Sequence, residues 1–255
     1  MKLTVLGCSG GIGGSQSRTT SFLVDEDILL DCGTGVGDLE FDALSRIDHV
    51  FLTHSHMDHI TSIPLMVDSV GEARNLPLTV YATQETIRIL HSHVFNWLVW
   101  PDFTSIPDRR NPFLRFQPIS VGQPVRLGKR IITALPAHHT VPAVGYCLDS
   151  GNGKLVYSGD TGYCREQIDA INAFDDLRYF LVETAFDNEQ HGLALASRHL
   201  CPSMLKTVLD EIKVNPEVFV SHLKPGHGDR IMEQIAALSA RFSPRALRQG
   251  AVFEF

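Results

Sequence analysis

The sequence has no cysteine pair and no long apolar run, and these absences narrow the classes of protein to consider. The five cysteines are scattered, and none forms a C-x-x-C pair. We therefore expect buried, reduced thiols, and neither a disulfide framework nor a thiolate zinc site. No segment approaches the roughly 20 apolar residues that span a bilayer, and the first residues do not resemble a leader peptide. We expect a soluble, cytoplasmic protein.

Basic residues are not in excess either. The formal net charge is −7, from 22 lysines and arginines against 29 aspartates and glutamates. Non-specific binding to RNA or DNA depends on cationic side chains that displace phosphate counterions, so we expect no broad affinity for nucleic acid. Short repeats and Pro- or Ser-rich linkers are missing too. The missing linkers favour one domain over residues 1–255. The second half repeats the order of strands and helices of the first, so we expect two similar halves of roughly 1–125 and 126–255.

Strand and helix patterns alternate in both halves. Apolar runs and alternation predict strands at residues 3–6, 21–24, 28–31, 50–53, 78–82, 130–135, 145–148, 155–158, 179–183 and 218–221. Apolar residues at helical spacing predict helices at residues 60–70, 84–93, 202–212 and 229–241. Strand-rich halves that each end in helices predict an α/β fold in which two sheets pack together, with the helices outside.

A glycine-rich loop spans residues 7–14, with the sequence GCSGGIGG. Such a loop is typical of dinucleotide-binding turns when a helix follows it and an acidic residue ends the second strand. Here a strand pattern follows the loop, and no such acidic residue is found. We therefore reject a dinucleotide-binding function for this loop.

The most informative segment follows the strand predicted at residues 50–53. It has the sequence HSHMDH over residues 54–59. Alternate side chains of an extended chain share a face, so His54, His56 and Asp58 can converge on one point. Asp58 is also a suitable N-cap for the next helix. Imidazole nitrogen and carboxylate oxygen are suitable ligands for divalent zinc, manganese or iron, so residues 54–59 indicate a metal site. The alternative is that this segment is a polar loop that faces solvent and binds no metal.

The order H-x-H-x-D-H after an apolar strand resembles the signature of the metallo-β-lactamase superfamily. Further segments match that family in the same order, along nearly the whole chain. They lie at residues 29–35, 137–146, 158–161 and 220–225. The resemblance implies an α/β protein with the metallo-β-lactamase fold, an αββα four-layer sandwich, and a dinuclear metal site.

The resemblance also implies the ligand set. Seven side chains would be shared between two ions: His54, His56 and His139 on the first, Asp58, His59 and His222 on the second, and Asp160 on both. The two divalent ions would be zinc, with manganese or iron as alternatives. His138 is the alternative to His139, which we favour because Thr-Val-Pro-x-x-Gly-Tyr follows it. Asp31 would orient ligands rather than bind metal.

Within the superfamily the chain is most similar to class II 3′,5′-cyclic-nucleotide phosphodiesterases, through residues 54–62, 95–103 and 183–227. The similarity implies a small-molecule substrate, cyclic AMP or cyclic GMP, that is hydrolysed to the 5′-nucleotide, and a homodimer. Asp58 would hold the hydroxide that attacks in line with the departing 3′ oxygen. His199 would contact the phosphate or assist the leaving group, and Glu183 would orient His199 or a ligand. The alternative for His199 is a surface histidine at the start of a helix. The alternative for Glu183 is a residue that ends a strand and has no role in the site.

Three aromatic residues carry part of this similarity. Trp97, Trp100 and Phe103 would wall a base-binding pocket by stacking. Packing in the core, or a contact in the dimer, is the alternative for each of them.

Other functions compete with this one. The tRNA 3′-end-processing endonuclease RNase Z shares the ligand positions, but its basic, tRNA-gripping insertion has no counterpart between Asp160 and Glu183. A thioester or other ester hydrolase, a β-lactam hydrolase and a non-catalytic metal-binding protein are the alternatives from other classes. Met57, Pro64 and Val67 depart from the class II pattern. These departures leave the exact class, and with it the substrate, open, but they do not affect the metal ligands. The sequence does not give base preference, metal identity or oligomeric state.

Overall fold

Strands and helices alternate along most of the chain in the structure, a computed structural model that describes residues 1–238 and 241–255. Within those ranges the chain forms fourteen strands and eight α-helices. The strands are β1 (Lys2–Gly7), β2 (Ser21–Val24), β3 (Ile28–Leu30), β4 (His49–Phe51), β5 (Leu78–Thr83), β6 (Leu114–Ile119), β7 (Pro124–Leu127), β8 (Arg130–Pro136), β9 (Val144–Asp149), β10 (Lys154–Tyr157), β11 (Leu177–Glu183), β12 (Glu217–Ser221), β13 (Arg245–Ala246) and β14 (Val252–Glu254). The helices are α1 (Phe41–Ser45), α2 (Met57–Ile60), α3 (Ser62–Val70), α4 (Gln84–His93), α5 (Arg165–Asn172), α6 (His191–Ser197), α7 (Pro202–Glu211) and α8 (Gly228–Ala237).

The strands form two seven-stranded sheets with the same pattern of pairing. The order is β14-β1-β2-β3-β4-β5-β6 in the first sheet and β7-β8-β9-β10-β11-β12-β13 in the second. In each sheet, taken in that order, the first three pairs of neighbours are antiparallel and the last three are parallel. The two predicted halves thus share one topology, although β7 crosses the predicted boundary and β14 joins the first sheet.

Three apolar clusters define the layers of the fold. Between the sheets, side chains of both sheets, such as Phe22 and Tyr146, are buried in one common core. The outer face of the first sheet packs on α3 and α4, and that of the second on α5, α7 and α8. The adjacent residues Phe180 and Leu181 of β11 point to opposite faces, as alternate side chains of a strand do. The layers are helix, sheet, sheet and helix, which confirms the predicted α/β sandwich.

The predicted elements are all found, and the differences lie at their ends. β2 and α4 have the predicted bounds. The helix predicted at residues 60–70 is divided into α2 and α3, and the N-cap of α2 is His56. Asp58 lies inside the first turn of α2, so its predicted N-cap role is wrong. The helix predicted at residues 229–241 ends at Ala237 as α8, and positions 239 and 240 of that prediction lie outside the described residues.

Several strand ends lie together and carry polar side chains. His54 follows β4, Asp160 follows β10, and His222 comes directly after β12. Sites in α/β proteins commonly form beyond the carboxyl ends of parallel strands. A hydrogen bond of 2.7 Å from the Tyr146 hydroxyl to Leu52 O joins the two sheets next to the end of β4. None of the helices in the described ranges combines the length and apolarity needed to cross a bilayer.

Candidate metal centre

Seven histidine and aspartate side chains meet beyond these strand ends in two groups. The first group is His54, His56 and His139, and the second is Asp58, His59, Asp160 and His222. Within each group, one potential ligand atom from each residue lies within 4.8 Å of the others. Asp160 lies close to both groups, since its Oδ2 is 3.7 Å from His54 Nε2 and 3.3 Å from His59 Nε2. These seven are the residues that the sequence predicts as ligands.

Several atoms of the two groups that could bind a metal are buried and form no hydrogen bond. Nε2 of His54, Nε2 of His59, Oδ1 of Asp160 and Nδ1 of His222 are buried, and none forms a well-oriented hydrogen bond with the described residues, although each of the three nitrogens lies 3.2–3.7 Å from an Asp160 oxygen. Buried polar atoms of this kind are costly unless something satisfies them. Divalent metal ions take nitrogen and oxygen ligands, so the residues present fit the binding of divalent metal.

A buried carboxylate orients ligands of both groups. Asp31 Oδ2 accepts a hydrogen bond from His59 Nδ1 at 2.7 Å and another from the Thr53 hydroxyl at 2.8 Å. That hydroxyl oxygen in turn accepts from His54 Nδ1 at 2.9 Å. When each ring is neutral, Nδ1 carries the proton in these hydrogen bonds and Nε2 is the nitrogen that can bind a metal, as is usual for histidine ligands with a second partner. Asp31 has a left-handed backbone, with φ of +54°.

His139 is held in place by two reciprocal hydrogen bonds to Arg198. His139 Nδ1 donates to Arg198 O at 3.1 Å, and Arg198 Nη1 donates to His139 O at 2.6 Å. The neighbouring His138 is exposed and belongs to neither ligand group of the described residues. The geometry therefore favours His139 over His138 as the ligand.

The protonation states of most of these groups also suit metal binding. Burial lowers the pKa of His139 to about 4 and that of His222 to about 3. Burial opposes ionisation of Asp160, but its interactions with the imidazoles of His222 and His59, of which His59 is the one that favours its charged form, hold the pKa of the Asp160 carboxyl well below the usual range. Neutral imidazole and ionised carboxylate are the forms that bind metal. Burial lowers the pKa of His59 too, but Asp160 and Asp31 outweigh it and raise that pKa well above its usual value.

A second buried pair lies beside the ligand groups. Glu183 Oε1 accepts from His199 Nδ1 at 2.7 Å and from the backbone N–H of Thr161 at 3.0 Å. The centre of the His199 ring is 4.8 Å from that of His139 and 5.2 Å from that of His222. Burial lowers the pKa of His199, but the Glu183 carboxylate outweighs burial and raises it above the usual value. The pair therefore holds a proton next to the ligand groups.

Comparison with known proteins places this arrangement in a family. The model of the family described as "Beta-lactamase superfamily domain" matches residues 26–241 of the chain. That match covers most of the sequence and includes all seven positions of the two ligand groups. The chain belongs to the β-lactamase superfamily.

Several relatives of this β-lactamase superfamily protein carry the names of hydrolases. A probable 3′,5′-cyclic-nucleotide phosphodiesterase of Yersinia pestis is 25% identical, over 88% of this chain and 78% of the relative. The probable metallo-hydrolase YhfI of Bacillus subtilis is 30% identical, over 75% of each chain. A ribonuclease Z of Haloarcula marismortui is 27% identical, over 60% of this chain and 49% of the relative. The family and the ligand groups together identify a metal-dependent hydrolase.

Two solved structures share the fold of this chain. Unliganded yeast PDE1 has a TM-score of 0.82 and 18% identity, over 98% of each chain. The short form of human tRNase Z has a TM-score of 0.69 and 16% identity, over 100% of this chain and 99% of the other. At these identities the likeness concerns the fold, and it confirms the metallo-β-lactamase fold predicted from the sequence.

The three aromatic residues differ in their surroundings. Trp97 is 63% exposed, and Trp100 is half-buried. Phe103 is only 4% exposed and packs against Phe95 and Phe113, so its contacts are those of a core residue. This burial favours the alternative of core packing for Phe103 over a contact with substrate. Trp97 and Trp100 remain candidates for stacking.

The alternation argument also needs correction in this β-lactamase superfamily site. It places Asp58 on the same face as His54 and His56, but Asp58 belongs to the other ligand group. The reason is that α2 begins at Met57 and turns the chain. Asp58 Oδ2 lies 3.8 Å from His59 Nε2, and the Asp58 side chain is 28% exposed.

Two residues of the site were not predicted from the sequence. Thr53 links Asp31 to His54, and its place directly before the first ligand, at the end of a buried strand, is a signal that could have identified it. Arg198 holds His139 from 59 positions away in the sequence, so no local pattern indicates this contact.

Proposed function

We propose that this hydrolase is a dinuclear-metal phosphodiesterase that converts 3′,5′-cyclic nucleotides to 5′-nucleotides. The observation that carries the proposal is the presence of two ligand groups with Asp160 within reach of both. Two divalent ions would bring four positive charges, of which Asp58 and Asp160 cancel two. A net positive site of this kind suits the anionic phosphate diester.

Zinc is the ion that we propose, with manganese or iron as alternatives. The proposed ligands are His54, His56 and His139 for one ion, Asp58, His59 and His222 for the other, and Asp160 for both. When bound, such ions activate water as a nucleophile near neutral pH and stabilise charge that develops on phosphate oxygens.

The side chains of this protein would then orient the reactants and move a proton. Asp58 is the proposed holder of the attacking water, because its carboxylate is partly exposed. Once the water has lost one proton to solvent, its oxygen forms a bond to phosphorus, the bond between phosphorus and the 3′ oxygen breaks, and that oxygen takes up a proton. His199 is the proposed proton donor, since Glu183 supports its protonated form.

The cyclic-nucleotide substrate is proposed from two further observations. The Yersinia pestis relative is named as a probable enzyme of this activity, and the match with it extends over most of both chains. Trp97 and Trp100 offer aromatic surface for a base, and stacking contributes about 1–3 kcal/mol per base. A homodimer is proposed as well, with the exposed apolar residues Leu98 and Val99 as part of a surface that a second copy would cover.

Ribonuclease Z activity is the second candidate, because relatives of that name also match the chain. The described residues between Asp160 and Glu183 form α5 and most of β11, and they contain no long basic arm for tRNA. The net charge of −7 also opposes a general affinity for RNA. We therefore rank the cyclic nucleotide first.

Turnover of three phosphodiester substrates tests the choice of substrate. The purified chain, supplied with zinc or manganese, is given cyclic AMP, cyclic GMP or a precursor tRNA, and the products are separated by chromatography. Release of 5′-nucleotide without cleavage of the tRNA is the expected result. Cleavage of the tRNA alone would establish the second candidate, and turnover of none of the three substrates would overturn the proposed phosphodiesterase function.

His56→Ala tests the site itself. Loss of one ligand should lower kcat/KM by at least about 1,000-fold, while the circular dichroism spectrum stays that of the folded protein. His138→Ala is the matched control, because His138 is an exposed histidine outside both ligand groups of the described residues. Near-normal turnover by the His56 variant would exclude this site.

A further inference from the structure

The glycine-rich loop packs against the segment that follows β12. His222 N donates to Cys8 O at 2.8 Å, and Gly10 N donates to Leu223 O at 3.1 Å. Lys224 Nζ donates to Gly10 O at 2.6 Å. These hydrogen bonds connect the loop to three consecutive residues, of which the first is a candidate metal ligand.

Gly10 approaches His222 more closely than a side chain would allow. A Cβ atom at position 10 would lie 2.5 Å from His222 O and 2.7 Å from Cδ2 of its ring. Both distances are shorter than Cβ atoms tolerate, and the first is to backbone, which cannot rotate away. On the same ring, Nδ1 lies 3.2 Å from Asp160 Oδ1. The ring is therefore confined between the backbone of Gly10 and the second ligand group.

The backbone of His222 needs such support. Its φ is +60°, in the left-handed region that residues with side chains rarely adopt. Conformations of this kind persist where the surrounding structure fixes them. The carbonyl of Cys8 and the bare backbone of Gly10 are the contacts that the loop provides to His222.

We propose that Gly10 is a positioning residue for metal binding. The absence of a side chain at position 10 lets the glycine-rich loop fix both the backbone and the imidazole of His222 against Asp58, His59 and Asp160. The inference rests on the metal-ligand role of His222 in the proposed function, and it is independent of the substrate.

Gly10→Ala tests this inference through metal binding. Metal-free full-length protein is titrated with zinc in competition with a chromophoric chelator, and with cobalt, whose visible absorption reports the geometry of its ligands. We expect one of two metal equivalents to bind about 10- to 100-fold more weakly in the variant, with an altered cobalt spectrum. The other equivalent, held by His54, His56 and His139, should keep its affinity.

Gly11→Ala is the matched control in the same loop. A Cβ atom at position 11 would meet only Pro225, at 3.4 Å, which is an ordinary contact. This variant should bind both equivalents as the wild type does. In a His222→Ala background, Gly10→Ala should cause no further loss of affinity, because the ligand through which it acts is absent.

The outcomes separate this inference from the proposed function. Wild-type affinity for both equivalents in Gly10→Ala, or an equal loss in the His222→Ala background, would overturn the role of Gly10 alone. Failure of the wild type to bind any metal would overturn the proposed function and this inference with it. If Gly10→Ala does not fold, Lys224→Met removes the hydrogen bond to Gly10 O and should weaken the same equivalent. Unchanged binding in that variant would overturn the inference.

Discussion

Asp31 acts on both ligand groups although it belongs to neither. Through direct contact with His59, and through Thr53 to His54, it determines which ring nitrogen of each histidine faces the site. Partners of this kind contribute about 10- to 100-fold to metal affinity. One buried carboxylate therefore controls a ligand of each proposed ion.

Asp31→Asn should weaken the binding of both ions by about 10- to 100-fold. Asparagine has the same size, but one of its two polar atoms donates and cannot accept from Thr53 or His59. Competition titration with zinc measures the effect. Asp38→Asn is the control, because Asp38 pairs with Arg18 at the surface, and its effect should stay within about twofold. Equal affinities in Asp31→Asn and the wild type would refute this orienting role.

At the scale of secondary structure, Arg130 of β8 connects the two sheets. Its guanidinium binds both carboxylate oxygens of Asp27, one of them at 2.8 Å, and also Asp25 at 3.2 Å. Both aspartates lie in the turn between β2 and β3, so the contact joins a strand of one sheet to a hairpin of the other. The hydrogen bond from Arg130 lowers the pKa of Asp27.

Arg130→Gln should lower the free energy of unfolding by about 1 kcal/mol at neutral pH. Because the pKa of Asp27 is lowered from 3.8 in the folded state, this contribution is complete above that value and is lost as the pH falls through the folded value. Thermal unfolding at several pH values should show a difference of about 2–4 °C that disappears in acid.

Arg126→Gln is the control for Arg130, since Arg126 is exposed on the neighbouring β7 and forms no ion pair with the described residues. It should leave the unfolding temperature almost unchanged at every pH. A difference for Arg130→Gln that stayed constant into strong acid would show that Asp27 is not the partner that matters.

Elements with a local apolar pattern could be predicted from the sequence, whereas elements that depend on distant partners could not. β6 contains Pro118, which argues against a strand, but β6 is the edge of its sheet, where a missing N–H is tolerated. β14 has three residues and forms by pairing with β1, from the other end of the chain. The same holds for the site. The candidate ligands could be predicted because they follow strand ends in a recognisable order, but the contact of Arg198 with His139 could not, because these residues lie far apart in the sequence.

At the scale of the whole molecule, all five cysteines are free thiols, and four of them are buried. Burial raises the pKa of Cys8 and of Cys147 to about 12, so these two thiols stay protonated near neutral pH. The native protein should react slowly with Ellman's reagent, and five thiols should react after unfolding in guanidinium. Rapid reaction of several thiols in the native state would contradict the burial, and fewer than five after unfolding would indicate a disulfide.

The two ligand groups are each divided between the sheets. Residues 54–59 come from the first half of the chain, and residues 139, 160 and 222 come from the second. Neither half contains a complete ligand group. Tight metal binding therefore requires that the two halves have packed together. Ions bound by ligands from both halves, as proposed, would stabilise the docked state by mass action. Removal of the metal by a chelator should therefore lower the unfolding temperature, while the apolar core between the sheets keeps the two halves packed together.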